Sequence, residues 1–278
     1  MRYAWFCLPV FLMIFTGSCS RSGKPSDGQS SPVIPERETI PECKAAYLEA
    51  GDRPVLVVNE DTLAFVRVRK GSFYMGTEFD MDNSAFIWET PRHRVELESD
   101  YYLCAVPVPQ SVWLAVMREN PSAFSLDTRC PVENVSFNDC IRFIDKLNEL
   151  TGVSFRLPTE AEWEFAANGG SSSRGYTYSG GEDLDDVAWY YNNSHGRTHP
   201  VGTKSPNELG LYDMAGNVWN WCSDNFSRYE GNIEPYSSTN KVVKGSGWCS
   251  TAKSCRATRR YSYGRNVKSD AIGFRLAI

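Results

Sequence analysis

A chain of 278 residues with 41% hydrophobic and 23% charged side chains carries enough apolar material for one globular domain of ordinary size. Its formal net charge is -5 and no basic block interrupts it, so there is no electrostatic footing for a nucleic-acid partner. No internal repeat stands out, and beyond the first nineteen residues no apolar run is long enough to span a bilayer.

Residues 1–19 have the grammar of an export signal: Arg2, then an apolar stretch over 3–15, then Gly17 and Ser18 directly before Cys19. Small residues ahead of a cysteine resemble a bacterial lipoprotein box, although Thr16 stands where leucine is commoner. Cys19 is therefore the expected lipidation site and the cell envelope the expected location, facing the periplasm or on the outer membrane. Residues 20–41 are rich in Ser, Pro, Gly and charge and read as a flexible linker. A single domain is expected over 42–278.

Within that domain, 62–69 and 93–98 read as strands, the second alternating Val95 and Leu97 against Arg94 and Glu96. Residues 111–119 and 138–150 read as helices. Ser136 with Asp139 opens the second, Ile141, Ile144 and Leu147 stripe one face, and Gly152 closes it. In RLPTEAEWEFAANGG, residues 156–170, Pro158 stops the extended chain, Thr159 and Glu162 form a capping box, and Gly169 and Gly170 end a short helix. Glu160, Glu162 and Glu164 read as a run serving capping, pairing with Arg156 and solvent. Beyond Gly169 periodicity fades. PNELGLYDMAGNVWNW, residues 206–221, reads as a loop folded over Leu211, Tyr212, Met214, Val218, Trp219 and Trp221.

The three histidines, His93, His195 and His199, lack H-x-x-x-H or H-E-x-x-H spacing, so zinc is not expected. Gly245-Ser246-Gly247 lacks the spacing of a nucleophile elbow. Of nine cysteines, Cys7 belongs to the leader and Cys19 to the lipid, which leaves Cys43, Cys104, Cys130, Cys140, Cys222, Cys249 and Cys255. An odd number implies at least one free or intermolecular thiol, and the pairing of the others stays open.

GSFYMG at 71–76, PRHRVEL at 91–97, PVENVSFNDC at 131–140, RLPTEAEWE, GLYDMAGNVW, CRATRR at 255–260 and GFRLAI at 273–278 follow one another in fixed order. Together they resemble the sulfatase-modifying-factor family, whose namesake is formylglycine-generating enzyme, over residues 64–278. The resemblance implies an irregular α+β fold, C-type-lectin-like, with low regular secondary-structure content. It implies calcium on the loop at 213–220, with side-chain oxygens from Asp213 and Asn220 and carbonyls from Gly216 and Val218. Asn220 stands where the family usually has Glu, and the alternative that Asp213 and Asn220 merely cap turns stays open.

The family enzymes hold copper(I) between two cysteines, two and seven positions after the aromatic residue of a G-G-S-[WY] word. Here the word is Gly245-Ser246-Gly247-Trp248, followed by Cys249 one position on and Cys255 seven positions on. Cys255 fits; Cys249 is one place early, Gly247 replaces the serine, and the C-H-R-S-Y-C signature is absent. A one-residue shift in extended chain turns a side chain to the other face, unless a bulge restores it. Two functions follow. The favoured one is a non-catalytic or divergent exported lipoprotein that binds a peptide, glycan or envelope protein through its aromatic scaffold, with Trp219, Trp221 and Trp248 as the binding residues. The alternative is a copper- and oxygen-dependent oxidase that converts a sulfatase cysteine to formylglycine, with Cys255 and Cys249 catalytic.

Overall fold

Three short segments rich in β-branched and aromatic residues, β1 (Ala45–Leu48), β2 (Val55–Val58) and β3 (Asp61–Val68), pair as an antiparallel meander. β4 (Gly71–Met75) and β5 (His93–Leu97) form a separate two-stranded ribbon. β6 (Tyr101–Cys104) then returns antiparallel to β3, setting Phe65 opposite Cys104 and giving the sheet order β1-β2-β3-β6. The computed structural model describes residues 43–49, 51, 53–78, 87–230 and 237–278. The chain divides into two units, Met1–Thr39 and Ile40–Ile278, and every described residue lies in the second. The expected signal, Cys19 and the linker lie outside the described residues.

Four helices follow: α1 (Gln110–Met117), α2 (Phe137–Thr151), α3 (Glu160–Ala167) and the single turn α4 (Leu184–Val187). α2 forms where its sequence says it should. Ser136 and Asp139 close a reciprocal capping box, Ile144 and Leu147 are buried on one stripe, and Gly152 ends the helix at φ 72°. α3 is capped likewise by Thr159 and Glu162, and Arg156 forks two nitrogens onto Glu162, each at 2.7 Å. α2 packs on the first sheet and on α1, where Trp113 stacks on Phe143 at 5.1 Å and meets Phe274 edge-on. Among the described residues no helix is long and apolar enough to cross a membrane.

The expectation that regular structure fades after Gly169 holds only to Val218. β7 (Trp219–Ser227), β8 (Ser237–Lys244), β9 (Arg260–Tyr263) and β10 (Ile272–Gly273) build a second sheet in the order β10-β7-β8-β9, with β10 parallel to β7. Residues Trp219, Asn220, Trp221 and Cys222 are all buried, so the strand offers no polar–apolar alternation to read. The loop reading of 206–221 is corrected accordingly at its last three residues.

The acidic run on α3 is corrected as well. Glu162 behaves as expected, but Glu160 and Glu164 are interior. Glu164 meets Lys244 at 2.6 Å, both fully buried, and accepts the Gly76 N–H at 2.7 Å. Glu160 takes Arg260 at 2.7 Å. Interior charges of this kind persist only when paired and hydrogen-bonded. Residues from three of the sequence words, joined by Lys244, thus meet in one ionic knot, in which α3 ties β8, β9 and the end of β4 together.

Candidate functional site

The 210–218 loop is a clamp. Asp213 (φ 51°) and Asn217 (φ 58°) take left-handed conformations tolerated by short polar side chains. The Asn217 amide accepts the His199 N–H at 3.1 Å and donates to the His199 carbonyl at 3.0 Å and to Asp213 Oδ1 at 3.2 Å. Asp213 Oδ2 accepts the Gly202 N–H at 2.7 Å. Gly216 (φ 74°) presses so close to residue 189 that a Cβ would lie 2.1 Å from the Trp189 carbonyl oxygen. The loop therefore fixes the chain over 199–202 from beneath.

Those bonds decide the fit of calcium. Both Asp213 oxygens already accept N–H groups, and the Val218 carbonyl accepts from Asn220 Nδ2 at 3.0 Å. Asn220 Oδ1 accepts Trp163 Nε1 at 3.2 Å and Arg275 Nε at 3.0 Å. Arg275 is fully buried and also donates to the Tyr212 carbonyl at 2.6 Å, so a guanidinium supplies positive charge beside these oxygens. Burial pulls this guanidinium down to about 10 and pushes the Asp213 carboxyl upward, opposed there by the Gly202 and Asn217 donors. Three of the four expected ligands face donors, a donor set that does not fit calcium, which takes six to eight free oxygens.

The Gly245-Ser246-Gly247-Trp248 word is built for packing. Gly245 (φ 94°) lets Trp163 approach to within 2.7 Å of where a Cβ would stand. Ser246 is left-handed (φ 67°) and donates its hydroxyl to the Ser254 carbonyl. At Gly247 a Cβ would stand 3.0 Å from the Ala271 carbonyl oxygen, so a serine there would require its neighbours to give by a few tenths of an ångström. Trp248 is held by its N–H on the Asn217 carbonyl at 2.8 Å and by its indole N–H on the Asp270 carbonyl at 2.9 Å. Half-buried, it meets Phe124 edge-on at 5.4 Å.

Cys249 and Cys255, which follow this word, meet different surroundings. Cys255 is 1% exposed, packed with Leu184, Val187, Ala188, Tyr190 and Ala215, and its thiol donates to the Thr251 carbonyl at 3.5 Å. Burial pushes that thiol up to about 12, against a small opposing pull from Ser246. Cys249 is exposed, on the side of Asp270 and Tyr263; partial desolvation raises its thiol too. Copper(I) needs two convergent thiolates, and here one thiol is packed in an apolar cluster while the other faces solvent. All seven described cysteines are free thiols, and no group of three or more His, Cys, Asp or Glu among the described residues could hold a metal ion.

Two of the expected binding tryptophans are corrected by their burial. Trp221 is fully buried against Phe137 and donates to the Val135 carbonyl at 3.1 Å. Trp219 is 9% exposed and belongs to the same core. Trp248 alone of the three reaches solvent to a useful degree. Beside its partner Phe124 a hollow of about 210 Å³ opens between residues 123–130 and 197–200. Its walls are two loops without periodicity, and the sequence signal that could have pointed there is Asn217, whose amide pins His199 as a neighbouring strand would.

Residues 57–278 match the sulfatase-modifying factor enzyme 1-like domain family. The chain belongs to this family. It is 32% identical over 225 residues to the chaperone protein LppX of Paenibacillus barcinonensis, covering 63% of this chain and 77% of that one. It is 34% identical over 170 residues to the formylglycine-generating enzyme of Streptomyces coelicolor, covering 53% and 52%. Treponema denticola variable protein 1 superposes with a TM-score of 0.70 at 28% identity, covering 82% of this chain and 99% of that one. The irregular mixed helix-and-strand fold of the family is the one observed. Its recurring words serve here mainly as the ionic knot, the clamp and the Trp248 packing.

Proposed function

We propose that this protein is an exported, lipid-anchored binding module that holds a polypeptide partner and does not generate formylglycine. One observation carries the reading: Cys255, the better match to a copper-holding cysteine, is sealed in an apolar cluster while Cys249 is exposed. The relatives' names point two ways, to a chaperone and to an oxidase, and fold alone does not choose between them. The cysteine geometry favours the first. Gly17-Ser18-Cys19 supports the lipid anchor, and the chaperone relative together with the solvent-facing Trp248–Phe124 shoulder supports a polypeptide rather than a glycan.

The test is direct. Protein preincubated with copper(I) and supplied with oxygen is given a C-x-P-x-R peptide, the substrate word of the family enzymes, and the peptide is weighed by mass spectrometry. It should emerge unchanged. Turnover to the aldehyde that disappears in both Cys255→Ser and Cys249→Ser would establish the oxidase instead. For the anchor, Cys19→Ala should move the protein out of carbonate-washed membranes, and retention there would contradict lipidation.

A further inference from the structure

We propose that the hollow beside Phe124 receives the C-terminal residue of the partner polypeptide, its apolar side chain against Phe124, Leu126 and Pro200 and its α-carboxylate on Arg197. This rests on the binding-module reading and names the chemistry that the module recognises.

Both walls are preorganised. On one side Phe124 is fixed through its N–H, which donates to Glu133 Oε1 at 2.8 Å, and through its carbonyl, which accepts Gln110 Nε2 at 3.1 Å. On the other, Asn217 and Asp213 hold His199 and Gly202 as described, and the Val201 N–H crosses to the Arg129 carbonyl at 3.0 Å, joining the two walls. A site fixed in this way pays little ordering entropy when a ligand enters.

The lining is apolar with one free cation. Leu126 is 97% exposed at the rim, apolar surface that a ligand would remove from water. Arg197 lines the same hollow and is exposed; its backbone N–H donates to the Ser194 carbonyl at 3.3 Å, but its guanidinium makes no hydrogen bond or ion pair among the described residues. The one acid of the lining, Asp127, is already satisfied by Arg129, whose Nε and a terminal nitrogen reach its two oxygens at 3.0 and 2.7 Å. The fork of Arg197 is thus left for an incoming carboxylate, the partner it matches best. Beside it the Thr198 hydroxyl, 2% exposed, has no hydrogen-bond partner among the described residues.

The surroundings reinforce an anion. His199 stacks on Trp189 at 3.8 Å, Lys204 Nζ lies 4.2 Å from the Trp189 ring, and His195 lies beyond, so a lysine and two imidazoles stand along this edge of a chain whose net charge is -5. Because Arg197 lines the hollow itself, the carboxylate has to enter with the apolar group. In a C-terminal residue both hang on one Cα. An internal Asp or Glu would place them on Cα atoms about 3.8 Å apart or more, beyond a pocket that takes one residue. The chain leading to that residue would pass over the Trp248 shoulder.

The probes are fluorescent hexapeptides ending in Leu, Phe or Val as free acids, the same peptides as C-terminal amides, and a Leu-Asp amide, read by anisotropy with the detergent-solubilised full chain. At least one free acid should bind about tenfold or more tighter than its amide. Arg197→Gln should erase that preference, and Ala123→Trp, at an exposed position on the wall, should block binding with the melting temperature unchanged. Equal binding of acid and amide, a preference that survives Arg197→Gln, a Leu-Asp amide that binds as well as the acids, or no binding of any peptide would each overturn the proposal. The formylglycine assay on the same preparation is independent: peptide failure without turnover removes the pocket assignment, whereas turnover removes the reading beneath it.

Discussion

Replacing Glu133 by Gln should remove a pH-dependent weakness built into the wall of the hollow. Glu133 is fully buried; its Oε1 accepts the Phe124 N–H, while Oε2 has no hydrogen-bond partner among the described residues. Burial raises its carboxyl from 4.5 to about 7, against the pull of the Phe124 and Ala123 amides and with a further push from Asp270. The sign follows from linkage. Between those two values the folded protein keeps a proton that the unfolded chain has released, so stability falls as pH rises through the window and levels off above pH 7. Each pH unit across it costs about 1.4 kcal/mol, and the whole window about 3 kcal/mol. Gln preserves shape and the Oε1 acceptor but cannot ionise. Its amide nitrogen adds a buried donor, whose cost is the same at every pH. Urea unfolding of wild type and Glu133→Gln at pH 5 and pH 8 should show the variant gaining about 2–3 kcal/mol relative to wild type between the two. An equal difference at both pH values would refute the reasoning.

Lys244→Met should cost about 3–5 kcal/mol by leaving Glu164 charged and buried without its cation, and Glu164→Gln added to it should restore part of the loss, both read by denaturant midpoints. Chelation of the purified protein should leave its melting temperature unchanged, because the Asp213, Val218 and Asn220 oxygens accept N–H groups; a fall reversed by calcium would restore the metal. Alkylation under native conditions should label Cys249 alone within the fast phase, with Cys255 reacting only on unfolding, as peptide mapping would show.

What could be read from the sequence was local. The capping boxes at Ser136 and Thr159 and the alternation in β5 depend on neighbours within a few residues, and the structure keeps them. Glu160 and Glu164 could not be placed, because their partners Arg260 and Lys244 lie 100 and 80 positions away. Separation along the chain likewise hid the role of Arg275 beside Asn220, 55 residues upstream. Trp219 and Trp221 looked like binding residues because an aromatic cluster has the same composition in a core as on a surface, and only β10 and β8 pairing on either side of β7 decides the matter. The hollow has no sequence pattern of its own, being made where two irregular segments are pinned by side chains from elsewhere.

Copper(I) binding tests the separation of Cys249 and Cys255 most directly. Reduced wild type, Cys249→Ser and Cys255→Ser are titrated against a chromophoric copper(I) chelator under nitrogen. With the two thiols apart, neither substitution should change the copper retained by the protein, and no site should outcompete the chelator. A tight site in the wild type that is lost in both variants would show that the cysteines converge on one metal, and would contradict the binding-module reading at its root.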